Sequence, residues 1–143
     1  MKIKNRRVGG TALEVSTLGL GTASLAGNMS AVAEDAAAAT IPHAISAGLN
    51  LIDTAPFYGF GKAEHLTGDG IRAYRESIVL STKVGRLLAP HAGPYSRPHS
   101  WHQPYPFVDV YDYSYDGIMR SYEDSLQRLA TNRIDILLVH DIG

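Results

Sequence analysis

Asp53, Tyr58, Lys83 and His140 are the residues of this chain whose types and placing suit proton transfer. Asp53, Lys83 and His140 each stand at the C-terminal end of an apolar run that reads as a buried strand. Tyr58 follows Asp53 within a short turn, Asp53-Thr54-Ala55-Pro56-Phe57-Tyr58-Gly59. A free tyrosine titrates near ~10 and is a poor acid or base at neutral pH. An adjacent ammonium stabilises the phenolate, and a carboxylate beside the ammonium keeps it charged and in place. An imidazole in the same pocket can hydrogen-bond a substrate oxygen. Together the four would polarise a carbonyl and give it a proton, or take one from an alcohol. The alternative is structural: a buried Asp53–Lys83 ion pair, Tyr58 packed nearby, and His140 as a hydrogen-bonded strand-end residue.

Such residues converge only if the elements bring strand ends to one face. Residues 3–15 read as a hairpin, with Ile3, Val8, Leu13 and Val15 apolar and Gly9-Gly10 at the turn. Residues 17–21 read as a short buried strand. An Ala-rich helix is predicted over 31–47, kinked or shortened by Pro42 and stopped by Gly48. Strands follow at 49–53 and 78–83, separated by a helix at 62–74 that Gly68 and Gly70 weaken. Residues 84–113 hold five prolines and several aromatics and read as a long loop over the site. A helix at about 115–129 presents Ile118, Tyr122, Leu126 and Leu129. The last strand, 134–140, is apolar enough to be buried on both faces. This alternation implies an α/β fold with a parallel sheet. In a barrel of such strands, their C-terminal ends carry the chemistry.

Composition narrows the field. The chain has 143 residues, 45% apolar and 19% charged, with a formal net charge of -1. That balance gives no electrostatic case for nucleic acid or an anionic membrane surface. Cysteine is absent, which removes thiolate nucleophiles and cysteine-held zinc. No apolar run reaches the ~20 residues of a membrane span, and Met1 to Arg7 lacks a secretory leader's apolar stretch. A cytoplasmic protein is expected. Tyr58-Gly59-Phe60-Gly61-Lys62 matches a Tyr-x-x-x-Lys pattern, but two glycines oppose the helix it needs. Gly19-Leu20-Gly21 lacks the third glycine of a dinucleotide fingerprint, Ser24 standing in its place. His91, His99 and His102 lie in a Pro-rich stretch without a nearby carboxylate, and no metal site is expected there.

The turn at Asp53–Gly59, the segment Ser81-Thr82-Lys83-Val84 and the run Arg133-Ile134-Asp135-Ile136-Leu137-Leu138-Val139-His140-Asp141 resemble the aldo-keto reductase family. So do Gly19-Leu20-Gly21-Thr22 and Gly61-Lys62-Ala63-Glu64. Within the family, Phe57-Tyr58-Gly59 and the Val139–Gly143 end look most like the aldose or fucose 1-dehydrogenase and pyridoxal 4-dehydrogenase branch. The resemblance implies a (β/α)8 TIM barrel, of which the chain supplies the N-terminal hairpin and about the first four βα units. It implies an NADP or NAD cofactor and a small-molecule carbonyl or alcohol substrate. Tyr58 would be the general acid or base, Lys83 would favour its phenolate, Asp53 would pair with Lys83, and His140 would orient the substrate oxygen. Gly21, Thr22 and Asp53 would lie near the nicotinamide ribose. Trp101, Tyr105 or Phe107 of the 84–113 segment would stack on a substrate ring. A barrel of this type needs about 250 residues. The chain is therefore expected to be the N-terminal part of a reductase, self-associating or completed by a separate C-terminal half. The rival expectations are a non-catalytic half-barrel that binds a partner, and a regulatory subunit that binds cofactor without turnover.

Overall fold

Alternating side chains on four short parallel strands sort the chain into two faces. The computed structural model describes residues 3–96 and 98–143. Strand β1 (Asn5–Arg7) pairs antiparallel with β2 (Glu14–Ser16) in a terminal hairpin. The main sheet holds β3 (Leu20–Gly21), β4 (Leu51–Asp53), β5 (Val79–Val84) and β8 (Ile136–Val139), all parallel and adjacent in that order. Between them run α1 (Glu34–Ser46), α2 (Lys62–Ile71) and α3 (Tyr115–Leu129). Ile52 pairs with Leu80, and Asp53 with Ser81. Because strand side chains alternate, Ile52, Leu80 and Thr82 face the helices while Asp53, Ser81 and Lys83 share the opposite face.

The core lies between sheet and helices. Ile41 of α1, Ile71 of α2, Leu129 of α3, and Ile52 and Leu80 of the sheet are all fully buried. Each such side chain stabilises the fold by about 1.5–3 kcal/mol. Polar groups reach into this layer, and the charged ones among them are paired. Glu64 of α2 is fully buried, accepts from Thr82 Oγ1 at 2.7 Å and pairs with Arg128 Nε at 2.5 Å. At the other end of the strands, Asp135 accepts from the Leu80 amide at 2.8 Å and pairs with Arg75 at 2.9 Å.

Several expectations are corrected. Helix α1 continues past Pro42 to Ser46 and is not cut short by it. The carbonyl that Pro42 cannot serve belongs to Ala38, an exposed residue whose carbonyl water can satisfy. Helix α2 ends at Ile71 rather than 74, giving way to a single 3-10 turn at Arg75–Ser77. On α3 the buried stripe is Gly117, Ser121, Ser125 and Leu129, one position round from the predicted face. Small side chains let the helix axis approach its neighbours, and Ile118, Tyr122 and Leu126 are left half-buried at the flanks. The 84–113 segment is not one loop. Strand β6 (Arg86–Pro90) pairs antiparallel with β7 (Phe107–Tyr111) over five residue pairs. Strand β8 is not buried on both faces: Leu137, Leu138 and Val139 are 44%, 46% and 46% exposed. It pairs with β5 alone among the described strands, so one edge and much of its surface stay open. The first parallel strand is shorter than expected, with Leu20 half-buried and Gly21 exposed.

Candidate functional site

The open face of the sheet gathers the strand-end residues. Asp53 ends β4 and Lys83 lies near the end of β5, two residues beyond Asp53's register partner Ser81 and on the same face. Lys83 Nζ donates to Asp53 Oδ2 at 2.7 Å and to the Thr54 carbonyl at 2.9 Å. Ser81 Oγ donates to the other carboxylate oxygen at 2.9 Å. With both oxygens held, Asp53 has little freedom to turn. Lys83 is mostly buried, and its ammonium stands over the Tyr58 ring, 4.8 Å from the centroid.

Tyr58 is carried by a tight double turn after β4. The Tyr58 amide donates to Ala55 O and the Gly61 amide to Pro56 O at 2.8 Å, and Phe60 adopts a left-handed φ of 52°. A non-glycine residue in that region is held there by its surroundings. Here Phe60 is buried and stacks on Tyr95, ring centroids 5.3 Å apart. His140 follows β8, its amide donating to Val84 O at 3.0 Å. Its ring meets Tyr58 edge-on at 5.8 Å and Phe57 at 6.0 Å. The His140 pKa is lowered, mainly because burial disfavours the cation; Asp141 opposes this, and Arg86 and Lys83 reinforce it. A neutral imidazole keeps one donor and one acceptor nitrogen. Its Nδ1 is buried without a hydrogen-bond partner among the described residues.

Gly21 pairs with Asp53 in the sheet, and both the amide and Oγ1 of buried Thr22 donate to the Asp53 carbonyl. A side chain added at Gly21 would meet nothing within 4 Å, so the space before this strand end is clear. The Asp53 side chain is 33% exposed.

Of the three aromatics expected to meet a substrate ring, the fold brings one to this cluster. Trp101 lies 5.9 Å from Tyr58 and 5.4 Å from Phe57, centroid to centroid. Its segment is pinned to residues 27–29 by the Met29 amide to Ser100 O and the His102 amide to Gly27 O. Tyr105 and Phe107 line a separate groove beside His65 and α3. His91 and His99 flank the ring of Tyr95, at 4.8 and 4.5 Å.

Arg86 is the residue that sequence reasoning missed. It opens β6, is buried, and its guanidinium lies 4.1 Å over the Phe57 ring. It donates to Asp141, next to His140, and to the Tyr111 hydroxyl, and approaches Asp109 at 3.5 Å. Tyr113 also ties the hairpin to β8, its hydroxyl donating to the His140 carbonyl at 2.6 Å. Gly85 makes room for it: a Cβ there would sit 2.3 Å from the Tyr113 ring. A lone arginine two residues after Val84, inside an otherwise apolar run, was the available signal.

Comparison with known proteins gives the family context. Residues 17–143 match the model of the aldo/keto reductase family. The chain is 46% identical to pyridoxal 4-dehydrogenase of Microbacterium luteolum over 98% of its own length and 44% of the relative's. It is 33% identical to L-galactose dehydrogenase of Arabidopsis thaliana, covering 99% of the chain and 39% of that protein. Among solved structures, a putative aldo-keto reductase from Pseudomonas aeruginosa superposes with a TM-score of 0.72 at 36% identity, over 97% of this chain and 46% of that one. A holo aldo-keto reductase from Bacillus halodurans gives 0.74 at 29% identity, over 96% and 40%. The chain thus spans less than half the length of these relatives, and its parallel sheet and helices form part of a (β/α)8 barrel.

Proposed function

Since the chain belongs to the aldo/keto reductase family, we propose that it carries the proton-transfer half of an NAD(P)-dependent oxidoreductase acting on a carbonyl or alcohol. A nicotinamide cofactor, when bound, supplies the hydride. The chain's own residues supply the proton and hold the partners. Tyr58 gives its phenolic proton to a carbonyl oxygen during reduction, and the phenolate takes it back from an alcohol during oxidation. Lys83 supports the phenolate electrostatically, and Asp53 with Thr54 fixes the ammonium where it can. His140, kept neutral by burial, orients the substrate oxygen. Gly21, Thr22 and Asp53 would hold the nicotinamide-ribose end of that cofactor.

One observation carries this reading. A single ammonium, Lys83, is locked to Asp53 at 2.7 Å while standing 4.8 Å over Tyr58. An ion pair needed only for packing has no reason to be built around a phenol beside an imidazole. The test is Tyr58→Phe, assayed with NADH and NADPH. Removing the phenolic proton is expected to lower kcat about 10²–10⁴-fold while leaving cofactor binding intact. Trp101, the sole tryptophan, reports that binding by energy transfer to the reduced nicotinamide. Full turnover by Tyr58→Phe would remove the phenol from the mechanism. Failure of the unaltered protein to bind either nucleotide would favour a non-catalytic binding module instead.

A further inference from the structure

Two side chains compete for the Asp141 carboxylate. Arg86 Nη2 donates to its Oδ2, while His140 Nε2 stands 3.9 Å from the same oxygen. The first contact is a hydrogen bond and the second is too long to be one. A carboxylate beside an imidazole ordinarily pairs with it and stabilises the imidazolium. Here the arginine has taken that carboxylate.

Arg86 is itself firmly held. Its guanidinium is buried, lies 4.1 Å over the Phe57 ring, donates also to the Tyr111 hydroxyl and has Asp109 at 3.5 Å from Nη1. Asp141 is fixed through its backbone as well. It adopts a left-handed φ of 52°, and its carbonyl and that of His140 both accept from the Tyr113 hydroxyl. A non-glycine residue in that region is uncommon and is kept there by its contacts. Phe57 completes the link, because the ring that Arg86 covers also meets the His140 ring edge-on at 6.0 Å. Arg86 thus grips both the residue after His140 and the ring beside it.

We propose that Arg86 is a positioning residue for His140: by keeping the Asp141 carboxylate on itself, it leaves Nε2 unengaged by that carboxylate and open to a substrate oxygen. The role of Nε2 toward substrate rests on the oxidoreductase reading; the hold on Asp141 does not. Because Nδ1 is buried without a partner among the described residues, Nε2 is the nitrogen left to meet a ligand. The charged groups around the ring are Asp141, Arg86, Lys83 and Asp53. Losing Arg86 removes a cation and releases an anion, and both changes favour the imidazolium. A protonated His140 then pairs with Asp141 in place of substrate.

The test is an NMR titration of the His140 ring nitrogens in the unaltered protein, Arg86→Met, Asp141→Asn and the double variant. Arg86→Met is expected to raise the His140 midpoint and to bring a hydrogen-bonded, downfield ring N–H signal. Asp141→Asn is expected to lower the midpoint. In the Asp141→Asn background, loss of Arg86 is expected to move it much less, because the arginine acts through the carboxylate. An unmoved midpoint in folded Arg86→Met, or an equal rise in both backgrounds, would overturn the proposal. Should Arg86→Met fail to fold, Asp141→Asn decides, since that side chain is 57% exposed and tolerates exchange. A His140 midpoint unmoved by it would refute control of the ring through Asp141. Where turnover is measured, Arg86→Met is expected to lower kcat/KM about 10²-fold and to cost little more in a His140→Asn background. An equal loss in that background would mark Arg86 as structural alone. The titrations need no turnover, so an unaltered protein that reduces nothing would sink the oxidoreductase reading and leave the hold on Asp141 to be decided by the midpoints.

Discussion

Lys83 and His140 meet at this site with different surroundings. Lys83 is held in place by a carboxylate and a carbonyl. His140 is buried with Lys83 and Arg86 nearby, and both the burial and those cations disfavour a second positive charge. Because the folded-state pKa of His140 lies below its usual value, the unfolded chain binds this proton more readily. Its contribution to stability is therefore complete above about pH 6.5 and is lost as pH falls through the folded pKa. Urea titrations are expected to show stability dropping below about pH 6.5, with a shallower drop in His140→Asn. An NMR titration placing the His140 midpoint at or above the free value would contradict this. The three strand-end residues, Asp53, Lys83 and His140, stood out in the sequence because buried parallel strands have no packing use for Asp, Lys or His. Arg86 and Asp109 did not. Their pairing depends on a hairpin whose register no local pattern among five prolines discloses.

The elements were legible where the hydrophobic period was clean and illegible where contacts between elements decided. Gly68 and Gly70 read as weak points of a helix, yet both sit where α2 touches other helices. A Cβ at Gly68 would lie 2.5 Å from the Leu129 carbonyl oxygen, and one at Gly70 2.8 Å from Ile41 Cβ. The glycines lower local propensity and permit close approach, which a single-element reading scores only as a cost. Gly68→Ala separates the two effects. Propensity alone predicts a gain of roughly 1 kcal/mol. Backbone overlap with Leu129 predicts a net loss of about 1–3 kcal/mol, because a carbonyl in a helix end cannot swing aside as a side chain can. Chemical denaturation is expected to show the loss; a stabilised variant would mean that α2 and α3 are free to slide apart. The shifted stripe on α3 follows the same logic. Ser121 and Ser125 are buried because they are small, and a reading that searched only for large apolar residues looked one position away.

At the scale of the whole molecule, the open side of the sheet dominates. Leu137, Leu138 and Val139 are each nearly half exposed, Ile142 is 70% exposed, and β8 offers an unpaired edge beyond them. An apolar strand with a free edge is a template for pairing with another strand. The alternation of apolar strand runs with helices that predicted the sheet could not disclose this, since an apolar strand reads the same whether its second neighbour lies in the same polypeptide, in another, or nowhere. Prepared as these 143 residues, the protein is expected to bind a hydrophobic dye and to associate through β8. Leu138 shares its sheet face with Lys83, its register partner, so a charge placed there both reduces the apolar patch and opposes strand addition. Leu138→Lys is therefore expected to lower dye fluorescence and shift the particle mass toward a single copy. Light scattering that finds the unaltered protein already monomeric and dark to the dye would show that something on the chain covers this edge in solution. It would also remove the case for completion by a second strand-bearing partner.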